Sequence, residues 1–478
     1  MNTRTGLTSV VLVASLATFA GFTVNPPIDA NPSASGVTAF VDVTVIPMNR
    51  QGVITGQTVV VRDGRIVSVG PASRSTVPGD AVRLDGRGKF LMPGLAEMHA
   101  HVQGPQAPNS EEMNRDIMFL YVANGITTIR AMLGAPNQLA LRRQLERGEV
   151  LGPAMYVAAP SLNGQSAFNA DTASKLVRAY KRAGYDLLKI HPGLTLSAYD
   201  AIVRTARQVG ITWAGHVSVN VGIEHVLNTR QSTVDHLDGY IEGAASPELK
   251  RRLASSPTSV SMPELWKSVT DSRIKDLARD TRRTGVWNVP TMFLWESFWT
   301  VGAPEEWARR PEMKYAPPQW VNNWISQKRN RIQQDAQNAV TPADAALHIE
   351  LRRKMLKALV DEGAPLLMGT DSPQMFNVPG FSLHRELAVA IEAGLTPFQV
   401  LESGTRNVGR YVAKDLGQDG NFGTVTAGSR ADLVLLDANP LDDVANLTKR
   451  SGVMVRGRWV SRAEIDRGLE ALAAKYAR

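Results

Sequence analysis

Between residues 90 and 411 the chain alternates short apolar runs with longer stretches of helical texture. Eight of the runs read as strands: "FLMPGLAEMH", "ITTIRAM", "AMYVAAP", "DLLKIHP", "ITWAGHV", "STVDHL", "VWNVPTM" and "PLLMGTD". Polar or helical sequence follows each, such as "APNQLALRRQLERG" after the second and "TPFQVLESGTRNVGRYV" after the last. Strands alternating with helices predict a parallel sheet joined by βαβ crossovers. Eight such units closing on themselves make a distorted TIM (β/α)8 barrel over residues 91–411, with its active site at the C-terminal ends of the strands. An open doubly wound sheet is the alternative. It offers no reason for the β-rich segments that flank the repeat.

Those flanks are "VTAFVDVTVIPM" and "GQTVVVRDGRIVSVG" on one side, and "TVTAGSRADLVLLDANP" and "VMVRGRWVS" on the other. Asp63-Gly64 between two Val/Ile runs is a strong hairpin signal. Residues 37–90 and 412–462 are therefore expected to meet as one small composite β-sandwich domain, followed by a C-terminal helix over 463–478. Ahead of them, "VNPPIDANPSASG" makes 23–36 a linker. Residues 1–22 carry Arg4, an apolar stretch and the small-x-small pattern Thr18-x-Ala20, as a signal peptide does. The apolar run is shorter than the ~20 residues that a membrane span needs. A cleaved leader and a periplasmic or secreted protein are expected, with an uncleaved membrane anchor as the alternative. No other segment could cross a membrane, so the mature chain is expected to have no integral span.

Composition narrows the chemistry. The chain has 478 residues, 43% hydrophobic and 21% charged, which suits one large globular domain and a smaller one. It has no cysteine, which excludes disulfides, thiolate metal sites, a cysteine nucleophile and a lipoprotein anchor. The net charge of +8 is spread over short helical clusters such as "ELKRRL". No basic stripe interleaved with aromatics occurs, so nucleic acid is not expected as a partner. Serine-hydrolase G-x-S-x-G, zincin H-E-x-x-H, dinucleotide and P-loop fingerprints are all absent from the sequence.

What remains lies at the strand ends. His99 and His101 are two residues apart at the end of the first apolar run, so their side chains point to one side. Lys189 ends the fourth run, His216 the fifth, His236 the sixth and Asp371 the eighth. On a barrel all six face one pocket. Imidazole and carboxylate without thiolate suit Zn, Mn, Fe or Ni. An ammonium has no lone pair to offer a metal. Lys189 fits among such residues if carbon dioxide has converted its amine to a carbamate that bridges two ions. Two divalent metals, with zinc the first choice, would then share a hydroxide that attacks a carbonyl. Asp371 would take its proton and deliver it to the leaving group.

With these residues in view, the chain resembles the amidohydrolase superfamily, closest to its imidazolonepropionase-like and prolidase-like members with a carboxylated lysine. The resemblance rests on "PGLAEMHAH", "GITTIRAM", Lys189, "GHV", "DHLDG", "GTDS" and the closing "GTVTAGSRADLVLLDANPL". It implies that His99, His101 and Asp371 bind the more buried metal, that His216 and His236 bind the second, and that carboxylated Lys189 bridges them. Glu97 stands where the family usually has Asp, and Ala131 follows Arg130 where an Asp is common. Neither departure touches a ligand position.

The expected function is hydrolysis of an amide-type C–N bond, in a dipeptide, an N-acyl amino acid or a cyclic amide. A lactone, ester or carbamate would suit the same site. A mononuclear deaminase and a non-catalytic barrel are the rivals. His191, Tyr240 and Arg130 are candidates for substrate or oxyanion contacts, whereas His225, His384 and His348 read as structural. Six of the nine tryptophans fall between Trp287 and Trp324. They suggest a lid over an apolar or aromatic part of a small-molecule substrate, or else packing within the segment or between subunits of a homo-oligomer.

Overall fold

The computed structural model describes residues 36–256, 259–300 and 302–477. The expected leader over 1–22 and all but the last residue of the expected linker lie outside them.

Both ends of the chain enter one eight-stranded sheet. Val37–Val45, Ile54–Arg62, Arg65–Pro71, Val82–Asp85 and Phe90–Pro93 come from the N-terminal side. Leu433–Leu436, Arg450–Val455 and Arg458–Ser461 come from the other. Asp63 (φ 49°) and Gly64 (φ 76°) turn the hairpin between Ile54–Arg62 and Arg65–Pro71, with Arg62 paired to Arg65. Two consecutive positive φ values are what a two-residue I′ turn requires, which is why Asp-Gly occupies it. Phe40 of the first strand lies edge-on to Trp459 of the last, ring centroids 5.5 Å apart. Four strand-to-strand steps separate those two strands in the sheet order. At about 4.8 Å per step a flat sheet would hold them far apart. The sheet therefore curls over a shared core of Phe40, Val59, Leu91, Leu433 and Met454.

The expected boundary at residue 90 moves slightly. Phe90–Pro93 pairs with Leu433–Leu436 in the terminal sheet, and Leu95–Ala100 pairs with Ile126–Ala131 in the central one. The single apolar run "FLMPGLAEMH" is thus two strands, parted at Gly94.

The central region alternates parallel strands with helices. Leu95–Ala100, Ile126–Ala131 and Ala154–Val157 form one sheet, and Leu187–Ile190, Thr212–Gly215, Thr233–Asp235 and Trp287–Val289 another. Bridges Ala158 to Leu187 and Leu162 to Ile190 join them. The expected eighth strand has no regular ladder. Residues 366–372 bridge Asn288 through Leu366 and Ala100 through Ser372. Backbone bonds from Met98 to the Met368 carbonyl and from Asp371 to the His99 carbonyl, both 2.8 Å, hold them beside the first strand.

The tryptophan-rich segment begins inside a central strand, at Trp287, and continues into helices Met292–Trp299 and Pro318–Gln337. Trp299 packs edge-on against Trp266 at 5.1 Å, while Trp307 and Trp324 pack on Phe376. Trp299, Trp307 and Trp324 are buried. These three rings pack on Trp266 and Phe376, which lie outside the segment, so for them the expectation of a substrate lid gives way to burial in a shared apolar core.

Candidate metal centre

His99 and Lys189 lie within central strands, while His216 and His236 each follow one directly. Asp371 lies in the bridged segment. Backbone pairing between neighbouring strands therefore brings residues from across the chain to one end of the sheet. His99, His236 and Asp371 present ligand atoms all within 4.8 Å of one another, and all three are buried. His101 Nε2 makes a very short contact with Asp371 Oδ1, the oxygen that lies 3.5 Å from His99 Nε2. Lys189 Nζ is 3.1 Å from His99 Nε2. The His216 ring lies 4.5 Å from that of His236. All six residues expected at the strand ends are brought together.

The histidines are oriented from behind. His216 Nδ1 meets Asp238 Oδ2 at 2.7 Å, His236 Nδ1 meets Thr291 Oγ1 at 2.9 Å, and His99 Nδ1 lies 2.9 Å from Asp235 Oδ2. The hydrogen bonds on His216 Nδ1 and His236 Nδ1 hold those two rings as such partners hold metal-ligating histidines, while His99 Nδ1 faces Asp235 without hydrogen-bond geometry. His236 Nε2 is buried and has no hydrogen-bond partner among the described residues. A buried nitrogen without a partner is costly unless a cation takes its lone pair.

Charge follows burial. Burial drives His99 and His216 well below the ordinary imidazole range and His236 to about 4, so these rings are neutral with a lone pair free. Burial opposes ionisation of Asp371, yet the facing imidazoles hold its carboxyl well below the usual range. Burial also lowers the Lys189 amine. His236 (φ 63°) and Asp371 (φ 66°) sit in the left-handed region, which costs about 1 kcal/mol or more for a residue with a Cβ and persists where surroundings over-determine it.

Three further groups act at the site that residue type alone did not single out. Asp235 and Asp238 flank His236 in "VDHLD", and that pairing of carboxylates with a ligand histidine was the available signal. Glu97, read as a departure, accepts from the backbone N–H of His99 (2.9 Å) and Thr370 (2.8 Å) and from the Thr370 hydroxyl (2.6 Å). It thereby ties the first strand to the segment carrying Asp371.

The remaining candidates divide. His191 is half-buried, with its ring 4.6 Å from that of His216, at the edge of the cluster. Tyr240 is corrected: its hydroxyl is fully buried between Thr281 Oγ1 and Asn288 Oδ1, both at 2.8 Å, and is not available to an oxyanion. Arg130 is corrected too. It is wholly buried, donating to the Met98 carbonyl (2.7 Å), to Tyr411 (2.9 Å) and to both oxygens of Asp235 (3.3 Å). Its partner is the carboxylate behind His99, not a substrate. His225, on helix Ile223–Thr229, pairs with Asp200 of helix Leu196–Val209 at 2.8 Å, and His384 is half-buried 3.3 Å from Arg450.

Parallel strands alternating with helices, bearing neutral imidazoles and an anionic carboxylate at one end, define an α/β protein built around a candidate metal centre. The sequence pattern of the amidohydrolase family matches residues 90–460, and the chain belongs to that family. The family is metal-dependent, and the His99, His236, Asp371 group could hold a divalent ion. The chain is similar to the imidazolonepropionase of Stenotrophomonas maltophilia (strain R551-3), 35% identical over 96 residues. That match covers 19% of this chain and only 24% of the relative. Among solved structures, bottromycin amidohydrolase superposes with a TM-score of 0.69 at 22% identity, covering 92% of this chain and 91% of that one. A Xaa-Pro dipeptidase with bound methionine in the active site superposes at 0.63 with 17% identity, covering 89% and 100%.

Proposed function

We propose that the protein is a metal-dependent hydrolase of amide-type C–N bonds, acting on a dipeptide, an N-acyl amino acid or a cyclic amide. The observation that carries this reading is the buried convergence of His99, His236 and Asp371 on a lysine whose amine burial holds below its ordinary pKa. The bridges at both edges of residues 366–372 support a (β/α)8 barrel whose mouth is this site. His99, His101 and Asp371 would hold one divalent ion, His216 and His236 a second, and Lys189, carboxylated, would join them. Ions so bound would polarise a carbonyl and make a water acidic enough to attack near neutral pH.

Asp371, buried among the imidazoles and held ionised, would accept the proton of the attacking water and pass it to the leaving nitrogen. His101 and His216 retain side-chain exposures of 18% and 17%, whereas His99 and Lys189 are closed off. Substrate therefore approaches from the His101 and His216 side, where His191 also lies. Leu133, Phe168 and Val219 are 43%, 61% and 60% exposed on loops that follow central strands, which supports a substrate with an apolar group. Arg4 and the apolar run behind it support export of the protein.

Metal content per chain, measured on wild type and Lys189→Ala purified with bicarbonate, tests the centre. Two metals in wild type and fewer in the variant are expected. A screen over dipeptides, N-acyl amino acids and lactones then tests the bond. Turnover of lactones alone would overturn the C–N assignment.

A further inference from the structure

The carbonyl oxygen of His236 receives two donors, both from helices between strand Trp287–Val289 and residues 366–372. Arg352 Nη1, on helix Pro342–Asp361, donates to it at 2.5 Å. Trp295 Nε1, on helix Met292–Trp299, donates at 3.1 Å. A carbonyl oxygen has two lone pairs, so these two bonds saturate it. The donors also hold each other, since the Arg352 guanidinium lies 3.6 Å over the Trp295 ring.

Behind them the arrangement is rigid. Arg352 Nε donates to His348 Nε2 at 2.8 Å, and the His348 ring is wedged 4.5 Å from Trp266 and 5.0 Å from Trp299. Arg352 and His348 are both buried. In front, His236 and Leu237 are two successive residues at positive φ, 63° and 50°. L-residues adopt that conformation only under constraint. The constraint on the first of them is visible in the two bonds to its carbonyl.

We infer that Arg352 and Trp295 form a clamp that positions His236 for metal binding, an inference that rests on the reading of His236 as a ligand. The tryptophan-rich segment then acts on the centre through the backbone of a ligand. Trp295 and Arg352 are positioning residues, since neither needs to touch substrate.

The test is divalent-cation affinity, measured by competition between the metal-free protein and a chromophoric zinc chelator. The variants are Trp295→Phe, which keeps a ring under Arg352 and removes only the N–H donor, together with Arg352→Lys and Arg352→Met. Folding of each apo-protein is checked by near-UV circular dichroism. Loss of groups that orient metal ligands weakens binding about 10- to 100-fold. That range is expected for Arg352→Met, with a smaller loss for Trp295→Phe and for Arg352→Lys. Cobalt(II) absorption of the loaded protein should shift in the variants, which a purely packing role would not cause. Wild-type affinity and spectrum in a folded Trp295→Phe and a folded Arg352 variant overturn the clamp while leaving the hydrolase reading intact. If the Arg352 variants do not fold, Trp295→Phe decides alone. Absence of cation binding by wild type would sink the metal reading, and the clamp with it.

Discussion

Lys189 Nζ stands 3.1 Å from His99 Nε2, with both side chains shut off from solvent. Burial lowers the basicity of each, so neither carries its usual positive charge readily. A neutral amine is the form that adds to carbon dioxide. Protein loaded with metal in carbon-13 bicarbonate is therefore expected to show a carbamate carbon resonance that Lys189→Ala and Lys189→Arg lack. Both variants should lose hydrolysis by at least the roughly 10- to 100-fold that removing the partners behind metal ligands costs. A wild-type spectrum without that resonance would remove the bridge from the mechanism.

Asp371 is assigned two tasks, ligand and proton carrier, and Asp371→Asn separates them. The amide keeps an oxygen that can coordinate but cannot take up a proton at neutral pH. Positioned general acid–base groups contribute about 10²- to 10⁴-fold. The variant is expected to lose kcat within that range, with much of its metal retained and KM little changed. Elemental analysis beside steady-state kinetics reads both. Unchanged kcat in metal-loaded Asp371→Asn would assign the proton transfer to another group.

Much of this site is legible in the letters because ligand positions lie at the ends of apolar runs, where period-two geometry turns His99 and His101 the same way. The groups that hold the ligands are less so. Glu97 and Thr370 are 273 residues apart, and Arg352 reaches His236 across 116. Nothing in local pattern links such pairs. The strand boundary at Gly94 was hidden for a related reason. The run from Phe90 to Ala96 is apolar but for the turn signal Pro93-Gly94, and it is the different partner strands, Leu433–Leu436 and Ile126–Ala131, that show the chain changing sheets there. The tryptophan cluster announced an apolar core but not what that core encloses.

The two corrected candidates carry opposite signatures to catalytic residues. Tyr240→Phe removes a hydroxyl bonded to Thr281 and Asn288, so about 1 kcal/mol of stability should be lost, more if the partners stay unsatisfied. Its kcat should remain within a few-fold of wild type. Arg130→Met strands Asp235 as a buried charge, and a loss of about 3–5 kcal/mol is expected from breaking such a pair. Thermal melts and kinetics on the two variants check this. A large drop in kcat for stable, metal-loaded Tyr240→Phe would return that hydroxyl to the oxyanion role.

Glu386 gives the fold a pH dependence separate from the metal ligands. Its carboxyl accepts the backbone N–H of Met292 at 2.8 Å and of Phe293 at 2.7 Å, at the start of the helix that carries Trp295. Burial raises its pKa to about 8 from an ordinary 4.5. The folded chain thus keeps a proton that the unfolded chain releases between those values. The stability this contributes is whole below about pH 4.5 and is lost as pH rises through about 8, with a slope of up to about 1.4 kcal/mol per pH unit. Glu386→Gln cannot ionise, although it gives up one of the two accepting oxygens. Relative to wild type it should be less stable at pH 5 and should gain steadily toward pH 8. Melting temperatures of the metal-free proteins at pH 5, 6.5 and 8 measure that difference, and parallel curves would show that Glu386 stays ionised in the fold.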